Sequence, residues 1–539
     1  MKVKNISFGF AVIILLTTYT VKAQYDSTWT FAAGGSLMDH SKAIVTDSTG
    51  CIYATGGFQS LLSLEGHNIK PLGDTDIFLA KWSKDGKLLW FVKSGSDIVS
   101  NYSLSEYGSA LVISNDAIYV TGIFMAEAAF GSTIVRSRGD GDIFLAKYTL
   151  KGELLWVRSA GGGNQDLPNS IAVDRDGNIY VTGLFQEEAQ FGEISLSALN
   201  STEMFLAKYD TQGNVIWARK SAGELKCSGK AIKCVDDYCI VAGNFEGLVD
   251  FNETTLSAAA EEVFVNKYNL EGDLIWSKKI AEGPFATVED IELWRGSIYV
   301  AGAFSGKIFS SGKVFSAQGC TDAFVSKLDL NGNSVWVKTF GGTGCDIVKS
   351  LDVTGDNQIL VAGNFQQNFK LNNAVLTSQG SDDMFILSMA RNGVINWSAS
   401  YGGPGQDQLN SITSLNKTVS IAGYFMESVA IGQQTYKSNG SSDIIIARVV
   451  LSPNKLEPVQ ESSSVTIYPN PASSHFYVES EESIESIKIY GLLGPLVYEN
   501  NVVRNHKTEI SLKGASPGIY IVKVRSKNEL KEIKLLLKE

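Results

Sequence analysis

Seven tryptophans recur along this chain at almost constant spacing: Trp29, Trp90, Trp156, Trp217, Trp276, Trp336 and Trp397, with gaps of 61, 66, 61, 59, 60 and 61 residues. Self-similarity at a fixed period of this length marks a repeat architecture, in which each unit buries its apolar face against its neighbours. Every period carries a second signature, a small residue followed by Gly-x-Phe. It reads Thr55-Gly56-Gly57-Phe58, Thr121-Gly122-Ile123-Phe124, Thr182-Gly183-Leu184-Phe185 and Ala242-Gly243-Asn244-Phe245. It continues as Ala301-Gly302-Ala303-Phe304, Ala362-Gly363-Asn364-Phe365 and Ala422-Gly423-Tyr424-Phe425.

One period, residues 166–223, shows what each unit folds into. Residues 170–174 (SIAVD) form a short apolar strand, and 174–178 (DRDGN) a tight turn rich in residues that tolerate left-handed backbone. Residues 179–185 (IYVTGLF) are β-branched and aromatic, as a buried strand requires. After a connection of about 17 residues come a third strand, 203–209 (EMFLAKY), a turn at 210–214 (DTQGN) and a fourth strand, 215–220 (VIWARK). Four antiparallel strands, repeated, make the blade of a β-propeller. A Trp present in every unit reads as blade-to-blade packing rather than as a sugar-stacking surface. The Gly of Gly-x-Phe allows close approach of inner strands, and its Phe fills the wedge between blades.

Strand counting sharpens this. The three inner strands occur seven times, the last set ending at residues 443–450 (DIIIARVV), and no Trp strand follows it. An orphan Trp strand, residues 27–34, precedes the first set. The expected fold is all-β: a seven-bladed β-propeller of four-stranded blades, with the N-terminal strand closing the last blade, followed by a small C-terminal β-sandwich. Such closure removes the open edges of the ring.

The 539 residues carry a formal net charge of −11, which argues against nucleic acid and anionic membrane as partners. The first 23 residues read as a signal peptide: Lys2 and Lys4, an apolar run over 8–16, and the small-x-small site Val21-Lys22-Ala23. No other apolar stretch approaches the ~20 residues of a membrane span, so no transmembrane segment is expected in the mature chain. The domains expected are a signal peptide (1–23), a propeller (24–450), a Pro-, Ser- and Glu-rich linker (451–464) and a C-terminal domain (465–539).

The unit Asp-x-Phe-Leu-Ala-Lys-Tyr, Gly, Trp, then Asp-x-x-Gly-Asn-Ile-Tyr-Val-Thr-Gly-x-Phe resembles the SBBP-type β-propeller repeat of exported bacterial proteins, over residues 25–450. The fourth unit departs at Val235-Asp236-Asp237-Tyr238, and the seventh at Ile445 and Arg448. The resemblance implies a scaffold and no particular activity. The tail resembles the type A C-terminal sorting domain of the type IX secretion system. Tyr468-Pro469-Asn470-Pro471 matches its opening motif, and Ile489-Tyr490 followed by Gly494 its middle motif. The segment from Pro517 and Gly518 through Tyr520 matches its third motif, and Lys534 to Lys538 its basic-apolar ending. That resemblance implies the type IX secretion machinery as a partner. It also implies passage through the periplasm of a Gram-negative bacterium, then secretion or attachment to the outer cell surface.

Chemistry-bearing residues are few. Cys320 and Cys345 fall in adjacent connections on one face and are expected to be close. Cys234 and Cys239 flank a tight turn and either bridge or stay free. A zinc site from Cys227, Cys234 and Cys239 lacks a fourth ligand and paired CxxC spacing, so no metal is assigned. An acid opens every third strand: Asp76, Asp142, Glu203, Glu262, Asp322, Asp383 and Asp443. Asp39, Asp166, Asp346 and Asp407 fall in the neighbouring links. These acids form either a cationic-ligand surface or a set of turn-fixing acceptors. The third-strand Lys81, Lys147, Lys208, Lys267, Lys327 and Arg448 read as solvated or locally paired. With His40 and His67 the only histidines of the repeat region, no catalytic residue is assigned, and no cofactor. The turn Asp210-x-x-Gly213-x-x-x-Trp217 is faintly similar to the tryptophan-docking repeat of quinoprotein dehydrogenases, with no cofactor ligand set.

Two functions follow. One is an exported scaffold that binds an extracellular glycan or protein through loops on one propeller face. The other is a secreted polysaccharide hydrolase or lyase with acidic residues at the channel mouth. A deep central pocket with two carboxylates favours the enzyme; a shallow or irregular surface favours binding.

Overall fold

The computed structural model describes residues 27–538 except 65–66, 98–105, 253, 372–373, 451–464, 492–494, 502–504 and 527–529. The expected signal peptide, the linker and Gly494 lie outside the described residues. The chain divides into two compact units, Met1–Glu457 and Pro458–Glu539.

Among the described residues of the first unit, seven four-stranded antiparallel meanders follow one another. Their inner strands are Asp39–Thr46, Tyr107–Ser114, Leu167–Val173, Cys227–Val235, Phe285–Trp294, Ile347–Val353 and Asp407–Leu415. Consecutive inner strands lie side by side, and the seventh lies beside the first, so the circuit closes. The seventh meander takes its outer strand from the other end of the chain. Ser27–Ala33 pairs antiparallel with Asp443–Val450, placing Trp29 opposite Arg448. Backbone and side-chain bonds reinforce this seam: Asp39 N donates to Ser442 O at 3.0 Å, and His40 Nε2 lies 2.8 Å from Ser442 Oγ.

The period of the tryptophans has a physical cause. Six of the seven indole N–H groups donate to a turn carbonyl of the next meander: Trp29 to Lys84, Trp90 to Leu150, Trp156 to Thr211, Trp217 to Leu270, Trp276 to Leu330 and Trp336 to Arg391, at 3.0–3.2 Å. The ring covers the glycine of that same turn. A Cβ on Gly152 or Gly272 would press on Trp90 or Trp217, and both glycines sit at positive φ. The Trp and the turn Gly one unit later are therefore two halves of one joint.

The third-strand lysines belong to the same joint: the solvated reading is corrected, and Lys208 is also paired with a local acid, Asp174, at 3.7 Å. Lys81, Lys147 and Lys208 donate to the carbonyls of Leu150, Thr211 and Leu270 that also receive the indoles. Each ammonium also lies over a second-strand tyrosine, Tyr53, Tyr119 or Tyr180, at 4.7–5.1 Å from the centroid. Arg448 fills the same role at the seam, donating to Lys84 O at 2.8 Å.

The connections between second and third strands are β-hairpins, for example Glu127–Phe130 with Thr133–Arg136. They reach back to the outer strand of the preceding meander, Ala129 pairing with Gly95 and Phe130 with Ser94. Phe130 and Phe191 stack beside Phe144 and Phe205 with centroids 5.0 Å apart, and Phe369 lies 4.6 Å from Phe385. Four of the hairpins thus plug the wedge between two sheets with an aromatic ring, Phe130, Phe191, Phe251 or Phe369, and the others with aliphatic side chains such as Leu62, Ile308 and Ile431.

In the second unit one long strand, His475–Gly491, serves two groups of partners. Its first half pairs with Val465–Tyr468 and Asn505–Ser511, its second half with Leu496–Asn500 and Gly518–Ser526. Leu530–Leu537 pairs onto Gly518–Ser526. Phe476, Val478, Ile487, Ile489, Val522 and Leu535 are in its buried core.

Candidate functional site

All seven inner strands carry a one-residue bulge at the same place, where they pass the glycine of the Gly-x-Phe signature. The register shifts between Ser41 and Ala43, between Gly108 and Ala110, and equivalently in the other five. A Cβ on Gly56, Gly122 or Gly363 would meet the inner-strand carbonyl of His40, Tyr107 or Ile347. The repeated glycine is what gives the bulge room. One residue per sheet is left out of register: Lys42, Ser109, Asn169, Lys230, Glu289, Lys349 and Asn410. All are polar and all are half-buried.

These side chains meet around the ring. Asn169 Nδ2 donates to Gly229 O at 2.7 Å, Asn410 Nδ2 to Ser41 O at 2.8 Å, and Lys349 Nζ reaches Glu289 Oε2 at 3.0 Å. Three residues further along each strand, charge gathers on one side only. Lys233 pairs with Glu292 at 2.7 Å with Asp352 nearby, and Asp290, next to the bulged Glu289, accepts from Leu351 N and Ser350 Oγ. The equivalent positions in the first three sheets are Val45, Val112 and Ala172.

A recess of about 330 Å³ opens between the fifth, sixth and seventh sheets. Phe285, Thr287, Lys349, Asn364, Gln366 and Gln408 are among the residues that line it, and Asp382 is its one carboxylate. Asp382 accepts from Gln366 Nε2 and Gln406 Nε2, both at 2.7 Å. Asn364 and Asn244, the variable residues of two Gly-x-Phe signatures, clamp the next sheet: they accept from Leu409 N at 2.7 Å and from Val288 N at 2.9 Å. The sequence reading passed over the bulged residues and these asparagines. The signal was there, in polar residues at the same offset of every period.

The seven acids that open the third strands are elsewhere. Asp76, Asp142, Glu203, Glu262, Asp322, Asp383 and Asp443 are all buried, none more than 4% exposed. The five aspartates each accept the amide N–H of the residue four before: Leu72, Arg138, Gln318, Gln379 and Asn439, at 2.9–3.1 Å. Desolvated and already bonded, they present no open surface to a ligand. The cationic-ligand reading is corrected to the turn-fixing one, because the carboxylates face inward to their own loops.

A second carboxyl lies near each of those aspartates, opposite or next to the signature Phe of the adjacent sheet. Asp39 lies near Asp443, Glu106 near Asp76, Asp166 near Asp142, Asp346 near Asp322 and Asp407 near Asp383. Burial first, with the neighbouring acid adding to it, pushes each of the second carboxyls up to about 7, against the opposing pull of backbone N–H donors. At the two remaining junctions Cys227 and Ala286 stand in the second position. There the third-strand acid is glutamate and is neutralised by lysine instead, Glu203 by Lys220 at 2.6 Å and Glu262 by Lys279 at 2.9 Å.

This sets a pH dependence. A carboxyl raised in the folded state contributes stability that is full below its unfolded value and lost as pH rises through about 7. The expected result is a higher melting temperature near pH 5.5 than near pH 8, with up to roughly 2 kcal/mol per such carboxyl at stake. Asp166→Asn, which imitates the protonated form, is expected to raise stability near pH 8 and to flatten the profile. A melting temperature that climbs steadily from pH 5.5 to pH 8 contradicts this.

Cys320 and Cys345 are disulfide-bonded with Cα atoms 5.0 Å apart, and Cys234 and Cys239 with Cα atoms 4.1 Å apart. The second bridge removes two thiolates from the zinc reading, and burial pushes the remaining Cys227 thiol up to about 12. Among the described residues no three His, Cys, Asp or Glu side chains converge as a metal site. Cys320 begins the last turn before its strand, beside the recess-lining Cys345. Cys320→Ser is expected to cost about 2–4 kcal/mol in denaturant unfolding. An unchanged unfolding midpoint under oxidising conditions speaks against the bridge.

In the second unit the sorting-type motifs converge. Asn470 Nδ2 donates to Lys534 O at 2.7 Å and its Oδ1 accepts from Leu536 N at 2.9 Å. Lys538 N donates to Ala472 O at 2.7 Å. The opening motif, Tyr468, Pro469, Asn470 and Pro471, therefore runs beside the closing strand, with Lys534 and Lys538 exposed. Gly518 starts the strand between them, and Tyr520 Oη donates to Ser516 O at 2.6 Å. Residues 466–538 match the family of secretion system C-terminal sorting domains. The tail is a type IX sorting domain. Residues 155–184 match the SBBP β-propeller repeat. A sorting domain of this kind marks proteins exported by type IX secretion to the cell surface or released from it. Among the described residues no helix is long and apolar enough to cross a membrane.

The chain is similar to an uncharacterized WD repeat-containing protein, L264, of Acanthamoeba polyphaga mimivirus, 21% identical over 62% of this chain and 31% of that protein. It is also similar to the regulatory protein FlaEY of Caulobacter vibrioides, 23% identical over 64% of this chain and 40% of that protein. The chain thus spans well under half the length of either. Among solved structures, PorZ of Porphyromonas gingivalis is 9% identical, covering 94% of this chain and 100% of that one, with a TM-score of 0.16. The Synechocystis apocarotenoid oxygenase is 10% identical over 78% of this chain and 95% of that one, with a TM-score of 0.36.

Proposed function

We propose that this protein is an exported β-propeller scaffold that binds an extracellular ligand, a glycan or a protein, on the ring face that carries the recess. The supporting observation is the lining of that recess. Three successive sheets contribute amide, hydroxyl and ammonium groups, and a single carboxylate, Asp382, that is held by two glutamine amides. Hydrogen-bonding groups on an open concave surface suit recognition of a polar chain. A glycosidase-type site needs two carboxyl groups about 5–10 Å apart facing one substrate. The seven acids that open the third strands are buried.

The sorting domain supplies the address and the propeller the cargo. The test is a glycan and protein array probed with the purified secreted protein and with a Gln366→Ala, Gln408→Ala double variant. Binding of a defined ligand, weakened at least tenfold in the variant, supports the reading. Turnover of a polysaccharide by the wild type, or ligand binding indifferent to the recess, sets it aside.

A further inference from the structure

The recess sets an apolar wall beside amide groups. Phe285, Ala303 and Ile347 supply the wall, and Asn364, Gln366 and Gln408 the amides. Two of those amides are already engaged. Asn364 is bonded at both ends to the Leu409 backbone, its Oδ1 accepting from N at 2.7 Å and its Nδ2 donating to O at 3.3 Å. Gln366 donates through Nε2 to Asp382 Oδ1 at 2.7 Å and accepts through Oε1 from Cys345 N at 3.3 Å. These two side chains shape the recess. Gln408 differs: it is half-buried, and its side-chain amide has no hydrogen-bond partner among the described residues.

The charges of the recess are engaged as well. Lys349 pairs with Glu289 at 3.0 Å, and Asp382 receives one glutamine N–H on each oxygen, from Gln366 on Oδ1 and from Gln406 on Oδ2. Neither group calls for an opposite charge on a ligand. Phe285 stands four residues before the bulge of its strand, and Cys345 and Gln406 hold the same place in the next two sheets. Cys345 is tied to Cys320 and Gln406 to Asp382. The Phe285 ring is half-buried and stacks on no other ring among the described residues, so it has surface to offer.

An uncommitted aromatic ring and an uncommitted amide on one recess match the two sides of a sugar. The C–H face of a pyranose packs on an aromatic ring, and its hydroxyls both donate and accept. An amide presents its donor and acceptor side by side, so neighbouring hydroxyls can meet both ends of Gln408. The volume of about 330 Å³ lies at the small end of the roughly 300–1,000 Å³ of ligand pockets. That is room for one residue of a glycan, whereas a folded protein partner is held over about 800 Å² on each side.

We propose that the recess is the subsite for an uncharged sugar residue of a glycan, packed against Phe285 and hydrogen-bonded through its hydroxyls to Gln408. The inference rests on the binding reading above and narrows it to neutral glycans.

The test is calorimetric titration of the full-length protein with four neutral polysaccharides, laminarin, mannan, galactan and xylan, beside acidic alginate and basic chitosan. Saturable binding of at least one neutral polysaccharide is expected. Phe285→Ala is expected to weaken it at least roughly tenfold, and Phe285→Tyr to retain it. Gln408→Leu, which keeps the bulk and removes the hydrogen bonds, is expected to weaken it by a similar factor. If Phe285→Ala does not fold, Gln408→Leu is read alone against that threshold. Binding of alginate or chitosan without any neutral polysaccharide overturns the proposal, as does neutral binding unchanged in folded Phe285→Ala and Gln408→Leu. A protein ligand on the array that depends on the recess, with all four neutral polysaccharides failing, overturns the sugar subsite and leaves the binding reading standing. Failure of every polysaccharide and of the array sets both aside.

Discussion

A chain lacking Ser27–Ala33 is expected to lose the cooperative thermal transition of the propeller, or to show it at least roughly 10 °C lower. The deletion removes the strand that pairs with Asp443–Val450 and exposes that strand as an open edge. It also removes Phe31, whose ring lies 5.1 Å from that of the fully buried Trp82, and the indole bond from Trp29 to Lys84 O. Each apolar side chain withdrawn from the seam costs about 1.5–3 kcal/mol, and Arg448 loses its stacking partner. Scanning calorimetry of the full-length and deleted chains decides it. A transition that keeps its midpoint means that the ring does not depend on this seam. A single variant is milder: Trp29→Phe keeps an aromatic ring but loses the hydrogen bond, worth about 0.5–1.5 kcal/mol, together with part of the buried ring area.

Removal of residues 465–539 is expected to abolish appearance of the protein outside the cell while leaving the propeller folded. The chain divides into two compact units between Glu457 and Pro458. The paired strands of the propeller seam lie within residues 27–450. The sorting domain is the part read by the export machinery. Fractionation with an antibody against the propeller is the measurement: full-length protein at the surface or in the medium, truncated protein retained in the periplasm and resistant to protease. Truncated protein outside the cell at normal levels contradicts the assignment of the tail as the address. A finer variant tests the motif convergence. Asn470→Ala removes both bonds to Lys534 and Leu536 and is expected to loosen the closing strand without touching the propeller.

The strand order and the N-terminal clasp were legible in the sequence because they rest on residues that have no freedom. Trp90 and Gly152 must recur together since one covers the other, and Gly122 must recur since a side chain there strikes the Tyr107 carbonyl. The tail was legible for a similar reason: Asn470 and Leu536 are bonded to each other, so the motifs that contain them stay in step. The hairpins between second and third strands were missed because their pairs are short and their composition varies, Ala129 with Ile134 in one unit and Phe309 with Val314 in another. The role of the acids was left open for a different reason. A carboxylate at the same offset in every unit looks alike on paper whether it faces water or its own turn, and only burial tells Asp142 from a surface residue. The bulged residues were passed over because Lys42, Ser109 and Asn169 share a position and a polar character but no residue type.

The seam between Ser27–Ala33 and Asp443–Val450 joins the earliest described strand to the last of the propeller, and the His40–Ser442 bond beside it spans 402 residues. Contacts that distant in sequence form late, because the loop-closure entropy of everything between them must be met first. Neighbouring sheets can dock pairwise as the chain lengthens, through joints such as Trp90 to Leu150. The ring itself cannot shut until residue 450 is available. An unfinished or partly translocated chain is therefore an open stack with two raw edges, and completion is a single event. For a protein exported to the cell surface or released from it, the lock is turned by the last strand to arrive.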